Sequence, residues 1–156
     1  MTKFLLTLHV LAAIVAVGPV TVAASMFPPA ARRAHARADG PDAVGAVTVH
    51  LLHRICRVYS GIGLAVPVLG LATAAAMGVL GDGWLTTSIA LTAAAAGVLA
   101  AFVLPRQGEL IEELGTRGSV ERGRTVQLAM FTGIFNLLWA TVTVLMIVRP
   151  GSTTGA

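Results

Sequence analysis

The chain has 156 residues, of which 56% are apolar and only 12% charged, with a mean hydropathy of +0.83. Soluble domains carry roughly a quarter charged residues, so an ordinary soluble core is excluded. The net charge of +4 does not signal nucleic acid, because the basic residues gather in two segments instead of spreading over a surface.

Four stretches contain no Asp, Glu, Lys or Arg: 4–31, 58–81, 83–105 and 125–148. A membrane helix needs about 20 mostly apolar residues, since backbone N–H and C=O groups find no water in hydrocarbon and must pair within the segment. The pattern predicts an all-α polytopic membrane protein, a single four-helix bundle built from two hairpins, with spans at about 4–31, 55–81, 83–105 and 125–148. Arg32, Arg33, Arg37, Arg54 and Arg57 lie between spans one and two, and Arg106, Arg117, Arg122 and Arg124 between spans three and four. Only Lys3 and Arg149 lie on the other side. The positive-inside rule therefore predicts cytoplasmic connections and external termini.

The first apolar run is longer than a signal-peptide core of about 7–15 residues, and the arginines after it resist export, so it reads as a retained span. His9, Ala12, Ala16, Pro19 and Ala23 align on one packing face. An imidazole within a span needs a partner, and two readings are open. Hydroxyls at comparable depth (Thr73, Thr87, Ser88, Thr143) can satisfy it, or His9 with Met77 or Met146 binds copper or a haem iron, which imidazole and thioether both suit. Pro28-Pro29 is expected to bend or restart the helix, and Gly40-Pro41 to end it.

The second helix is expected to start below the membrane, with Val44, Val47, Leu51, Ile55 and Val58 on one stripe and His50, His53, Arg54 and Arg57 on another. Cys56 is the only cysteine, which excludes an intrachain disulfide or a Cys-based zinc site; it reads as a packing residue. His50-x-x-His53 and Glu109-x-x-Glu112 admit a two-His, two-Glu metal site of the kind helical bundles build. They equally admit interfacial ion pairs, in which His50, Arg54 and Arg57 meet lipid phosphates or the loop glutamates. Within the membrane Gly63, Pro67, Gly70, Ala74 and Gly78 form a small-residue face.

Trp84 opens the third span as an interfacial aromatic, Ala90, Ala94, Gly97 and Ala101 form its packing line, and Pro105 is expected to close it. Leu110, Ile111 and Leu114 then dock a short helix onto the membrane surface. In span four Ala129, Thr132, Gly133, Asn136, Ala140 and Thr143 align, and Asn136 is expected to bond a neighbouring helix. Bulky Leu, Val and Ile face lipid. A polar tail from Gly151 onward reads as disordered. Tyr59-Ser60-Gly61-Ile62 and Phe131-Thr132-Gly133-Ile134 share a pattern that a duplicated hairpin explains, as does chance.

No HExxH, phosphate loop, paired-cysteine motif or nucleophile elbow occurs. The residues therefore point to a non-catalytic assembly, packing or lipid-contacting component of the bilayer, with a second copy or another membrane protein as partner. Pro19, Pro67 and Asn136 keep a small transporter or channel open as an alternative.

The opening Phe4-Leu5-Leu6-Thr7-Leu8-His9-Val10-Leu11-Ala12-Ala13, followed by Gly18 and then a proline and arginines at the far end, resembles small bacterial four-helix membrane proteins. It is similar to the first helix of copper-resistance-D-like proteins and, more distantly, of the membrane protoporphyrinogen oxidase family. The resemblance covers the first span and implies His9 as a copper or haem ligand. The alanine- and arginine-rich usage looks actinobacterial.

Overall fold

The computed structural model describes residues 1–36, 43–117 and 120–151, and all regular structure among them is helical. In chain order the elements are α1 (Thr2–Ala36), α2 (Ala43–Ile62), α3 (Ala65–Met77), α4 (Gly83–Val98), a π-helical segment (Leu99–Val103), α5 (Leu104–Arg117) and α6 (Arg122–Val148). They form four columns, each long and apolar enough to cross a membrane: α1, α2 with α3, α4 through α5, and α6. This is the expected polytopic four-helix bundle. The break expected at Gly40-Pro41 and the tail beyond Gly151 lie outside the described residues.

Helix α1 runs unbroken through Pro19, Pro28 and Pro29, so the double proline does not restart the chain. The second column does break, at Gly63-Leu64. Pro67 has no N–H, and its ring crowds the carbonyl four residues earlier, that of Gly63. The chain tightens there into two shorter turns, with Leu64 N–H donating to the Gly61 carbonyl at 3.2 Å and Val66 N–H to that of Gly63 at 3.0 Å. A Cβ on residue 63 would stand 3.1 Å from the Ser60 carbonyl oxygen and 3.3 Å from that of Tyr59. Gly63 thus serves this break rather than the helix-to-helix contact expected of it.

Pro105 does not close the third column. Leu104 N–H reaches back five residues to the Leu99 carbonyl, and the wider turn carries the helix past the proline to Arg117. The segment expected to lie on the membrane surface instead continues the column, and buried Leu110 packs in the core.

Lipid supplies no hydrophobic drive between helices, so close packing and interhelical hydrogen bonds hold the columns together. Helix α1 packs on α2, α3 and α6, and α4 packs on α6. The main core joins Val20, Ala23, Ala24, Phe27 and Ala31 of α1 to Val49, Leu52 and Cys56 of α2, with Leu99, Val103, Leu110, Leu128 and Phe135 from the other columns. A smaller cluster of Ala74, Trp84 and Leu85, with Met146 against it, lies at the opposite end. There the Trp84 indole N–H donates to an Asp82 carboxylate oxygen at 2.9 Å, and the Arg149 guanidinium lies 5.6 Å from the ring centre. Trp84 is therefore packed and buried rather than spread on the interface.

The expected packing face holds for α1, holds in part for α3 at Gly70 and Ala74 and for α6 at Thr132 and Asn136, and fails in the third column. His9, Ala16 and Ala23 are buried, but Ala90, Ala94, Gly97 and Ala101 are exposed, because the third column turns Leu85, Ser88, Ala95 and Leu99 inward. In α2 the buried line is Val49, Leu52 and Cys56, which leaves Val44, Val47, Leu51 and Val58 outward. Many bulky side chains, including Val10, Ile14, Leu64 and Leu137, do face outward as expected. The two four-residue echoes are not structurally equivalent: one ends α2 at its break, the other lies inside the continuous α6.

Candidate functional site

Three polar arrangements interrupt this apolar bundle. The first is at His9, only 8% exposed, whose Nδ1 lies 3.0 Å from the Val66 carbonyl oxygen on α3. A carbonyl only accepts, so Nδ1 carries a proton and donates. The imidazole rests on Gly70: a Cβ there would come within 2.9 Å of Cε1 and 3.3 Å of Nδ1. Of the expected packing glycines, Gly70 is the one that permits a close helix approach. The partner is a backbone carbonyl, not one of the hydroxyls anticipated; Thr73 and Ser88 instead bond backward to the carbonyls of Leu69 and Trp84 on their own helices. Met77 follows Gly70 by seven residues, about 10 Å along the helix axis. Met146 packs against Ala74, Trp84 and Leu85.

The second arrangement ties α5 to α2. Gln107 is fully buried; its Oε1 accepts from His53 Nδ1–H at 3.0 Å, and its Nε2–H points to the Cys56 sulfur at 3.6 Å. Cys56 is a buried free thiol, as the packing reading anticipated. Nothing in the sequence singled out Gln107, a lone amide in an Arg- and Glu-rich stretch.

The structure does not bring the expected two-His, two-Glu set together. His53 is engaged by Gln107, and His50, Glu109 and Glu112 are exposed. Helix α5 turns Gln107 and Leu110 toward the bundle, so Glu109 and Glu112, two and five positions beyond Gln107, fall on other faces. Among the described residues no group of three or more His, Cys, Asp and Glu side chains is placed to hold a metal ion. Nor do the loop glutamates reach the α2 arginines. Glu113, Glu109 and Glu121 stand 2.6, 3.8 and 3.9 Å from Arg124, while Arg54 and Arg57 are exposed.

The third arrangement is a lateral groove of about 300 Å³ between α1 and α6, lined by Ser25, Pro28, Pro29, Arg32, Ala129, Thr132, Gly133 and Asn136. Asn136 lies near the middle of α6 and, as expected, bonds a neighbouring helix, its Nδ2–H donating to Ser25 Oγ at 3.2 Å. Its Oδ1 is buried and has no partner among the described residues, and the same holds for the hydroxyl of Thr132, which is 3% exposed. Turning the amide over would exchange which end is paired, not how many are. Pro28 and Pro29 lack N–H groups, so the carbonyls of Ala24 and Ser25 lose the donors four residues on; of these two residues Ser25 lines the groove and Ala24 is buried in the core. Gly133 keeps the groove open, since a Cβ there meets nothing within 4 Å among the described residues. Gly133 and Gly97, where a Cβ likewise meets nothing within 4 Å, are thus not the tight helix contacts anticipated.

Of the three, the groove alone combines open volume with unspent hydrogen-bonding capacity. Its legible signals were Asn136 and the double proline; that they face one another was not. No protein-family model matches the chain, and no curated protein or solved structure matches it either.

Proposed function

We propose that this multi-pass membrane protein is a non-catalytic component that recognises another constituent of the bilayer through the groove between α1 and α6. The observation that carries this reading is the pair of buried polar atoms, Thr132 Oγ1 and Asn136 Oδ1, left without partners on the groove wall. In a low-dielectric setting such an atom costs about 1–3 kcal/mol unless something meets it.

A photoactivatable side chain placed at Ala129, an exposed position on the groove lining, with Gly97 as a control on an open helix face, tests this in native membranes. A discrete adduct at position 129, absent at position 97, is the expected result; the same diffuse lipid labelling at both would count against a recognition groove.

The orientation we propose follows the arginines: the end carrying Arg32, Arg54, Arg57, Arg106 and Arg124 faces the cytoplasm, and the Trp84 and Arg149 end faces outward. Terminal reporter fusions should then be active only for a reporter that folds outside the cytoplasm. A cytoplasmic terminus would invert the assignment.

A further inference from the structure

We propose that the groove binds an acidic amphiphile from the bilayer, its anionic group held by Arg32 and a hydroxyl or amide N–H, set deeper, donated to Asn136 Oδ1. This rests on the recognition reading above and names the ligand class.

Three observations converge on that chemistry. Arg32 is exposed at one end of the groove, and no carboxylate among the described residues pairs with it. The deeper part holds an acceptor without a partner among the described residues, Asn136 Oδ1, which calls for a donor that a bare acyl chain lacks. The Thr132 hydroxyl, almost wholly buried and unpartnered among the described residues, either donates to the ligand or accepts from it. The groove, about 300 Å³, has room for a headgroup with its glycerol, and the Arg32 charge at its end, unpaired among the described residues, matches an anionic one. Ser25 and Arg32 are seven residues apart, about 10 Å along α1, and the flexible Arg32 side chain shortens the separation the ligand must span.

The test uses the full chain in mild detergent, titrated by native mass spectrometry with four probes: 1-oleoyl-lysophosphatidic acid, its analogue lacking the glycerol hydroxyl, 1-oleoyl-lysophosphatidylcholine and inorganic phosphate. The acid should bind one to one, about tenfold tighter than the choline lipid, and Arg32→Gln should erase that preference. Removing the ligand hydroxyl should weaken binding about fivefold, and Thr132→Val with Asn136→Leu should abolish that difference. Gly133→Leu fills open volume without meeting backbone, so it should keep the fold, checked by helix content and melting, yet lose binding. Equal affinity for acidic and choline lipids, or binding that survives Gly133→Leu, would overturn the proposal. Displacement by millimolar inorganic phosphate would also overturn it, assigning the site to free phosphate. Should the lipids fail while position 129 still crosslinks a discrete partner, the ligand assignment falls and the recognition groove stands.

Discussion

Gly70→Ala is expected to lower the stability of the folded bundle by about 2 kcal/mol, although glycine to alanine within a helix ordinarily stabilises by about 0.5–1 kcal/mol. The sign reverses because the new methyl would stand 2.9 Å from the His9 ring, which cannot retreat without breaking its bond to the Val66 carbonyl. Once His9 is replaced by alanine the obstruction is gone, so Gly70→Ala in that background should be neutral or stabilising. Reversible unfolding in mixed micelles, followed by helix content across the four combinations, measures the coupling. Simple additivity would refute the proposed clasp between α1 and α3. The same preparations test the reading of His9 as a haem or copper ligand, which would have to bind through Nε2 because Nδ1–H is engaged by the Val66 carbonyl. A Soret band or stoichiometric copper, lost in His9→Ala, would add a ligand role; a colourless, metal-free wild-type protein would leave the clasp alone.

Gln107→Leu should destabilise by about 2–3 kcal/mol, because it strands the His53 Nδ1–H in a half-buried site and removes the amide facing Cys56. Replacing both members of the pair, His53→Phe with Gln107→Leu, should recover most of that loss, since two apolar groups leave nothing unpaired. Cys56 supplies an internal reporter: it is fully buried, so a membrane-permeant maleimide reaches it only through local opening. Its labelling should accelerate about tenfold or more in Gln107→Leu. An unchanged rate would show that the amide bridge does not hold α5 on α2.

The four columns were legible because lipid makes a blunt demand, and a charge-free run of about 20 residues meets it visibly. Which faces turn inward was less legible. Small residues at helical spacing marked α1 correctly but misled for the third column, where Ser88, Ala95 and Leu99 are inside and Ala90, Ala94, Gly97 and Ala101 are not. An alanine-rich helix has small residues on every side, so their spacing carries little information. His9 was legible as an inward imidazole, but its partner is a backbone carbonyl, which every residue possesses and no sequence pattern advertises. Asn136 was legible as an interhelical amide. Thr132 was not, because a threonine in a membrane helix ordinarily bonds its own backbone, as Thr141 and Thr143 do.

The wide turn at Leu99–Val103 has a consequence for phase. One residue of an α-helix is about 100° of rotation, so an extra residue absorbed in a single turn rotates everything beyond it by about a quarter of the circle relative to α4. Within the turn Phe102 stacks on Phe131 of α6 with ring centres 4.7 Å apart, and beyond it Arg106 lies 4.7 Å from the same ring. Gln107, the next residue, faces α2 instead. The third column therefore serves two neighbours in succession along one continuous rod, gripping α6 and then α2. A chain one residue shorter in that turn would keep its composition, length class and hydropathy, yet would swing Gln107 away from His53 and Cys56.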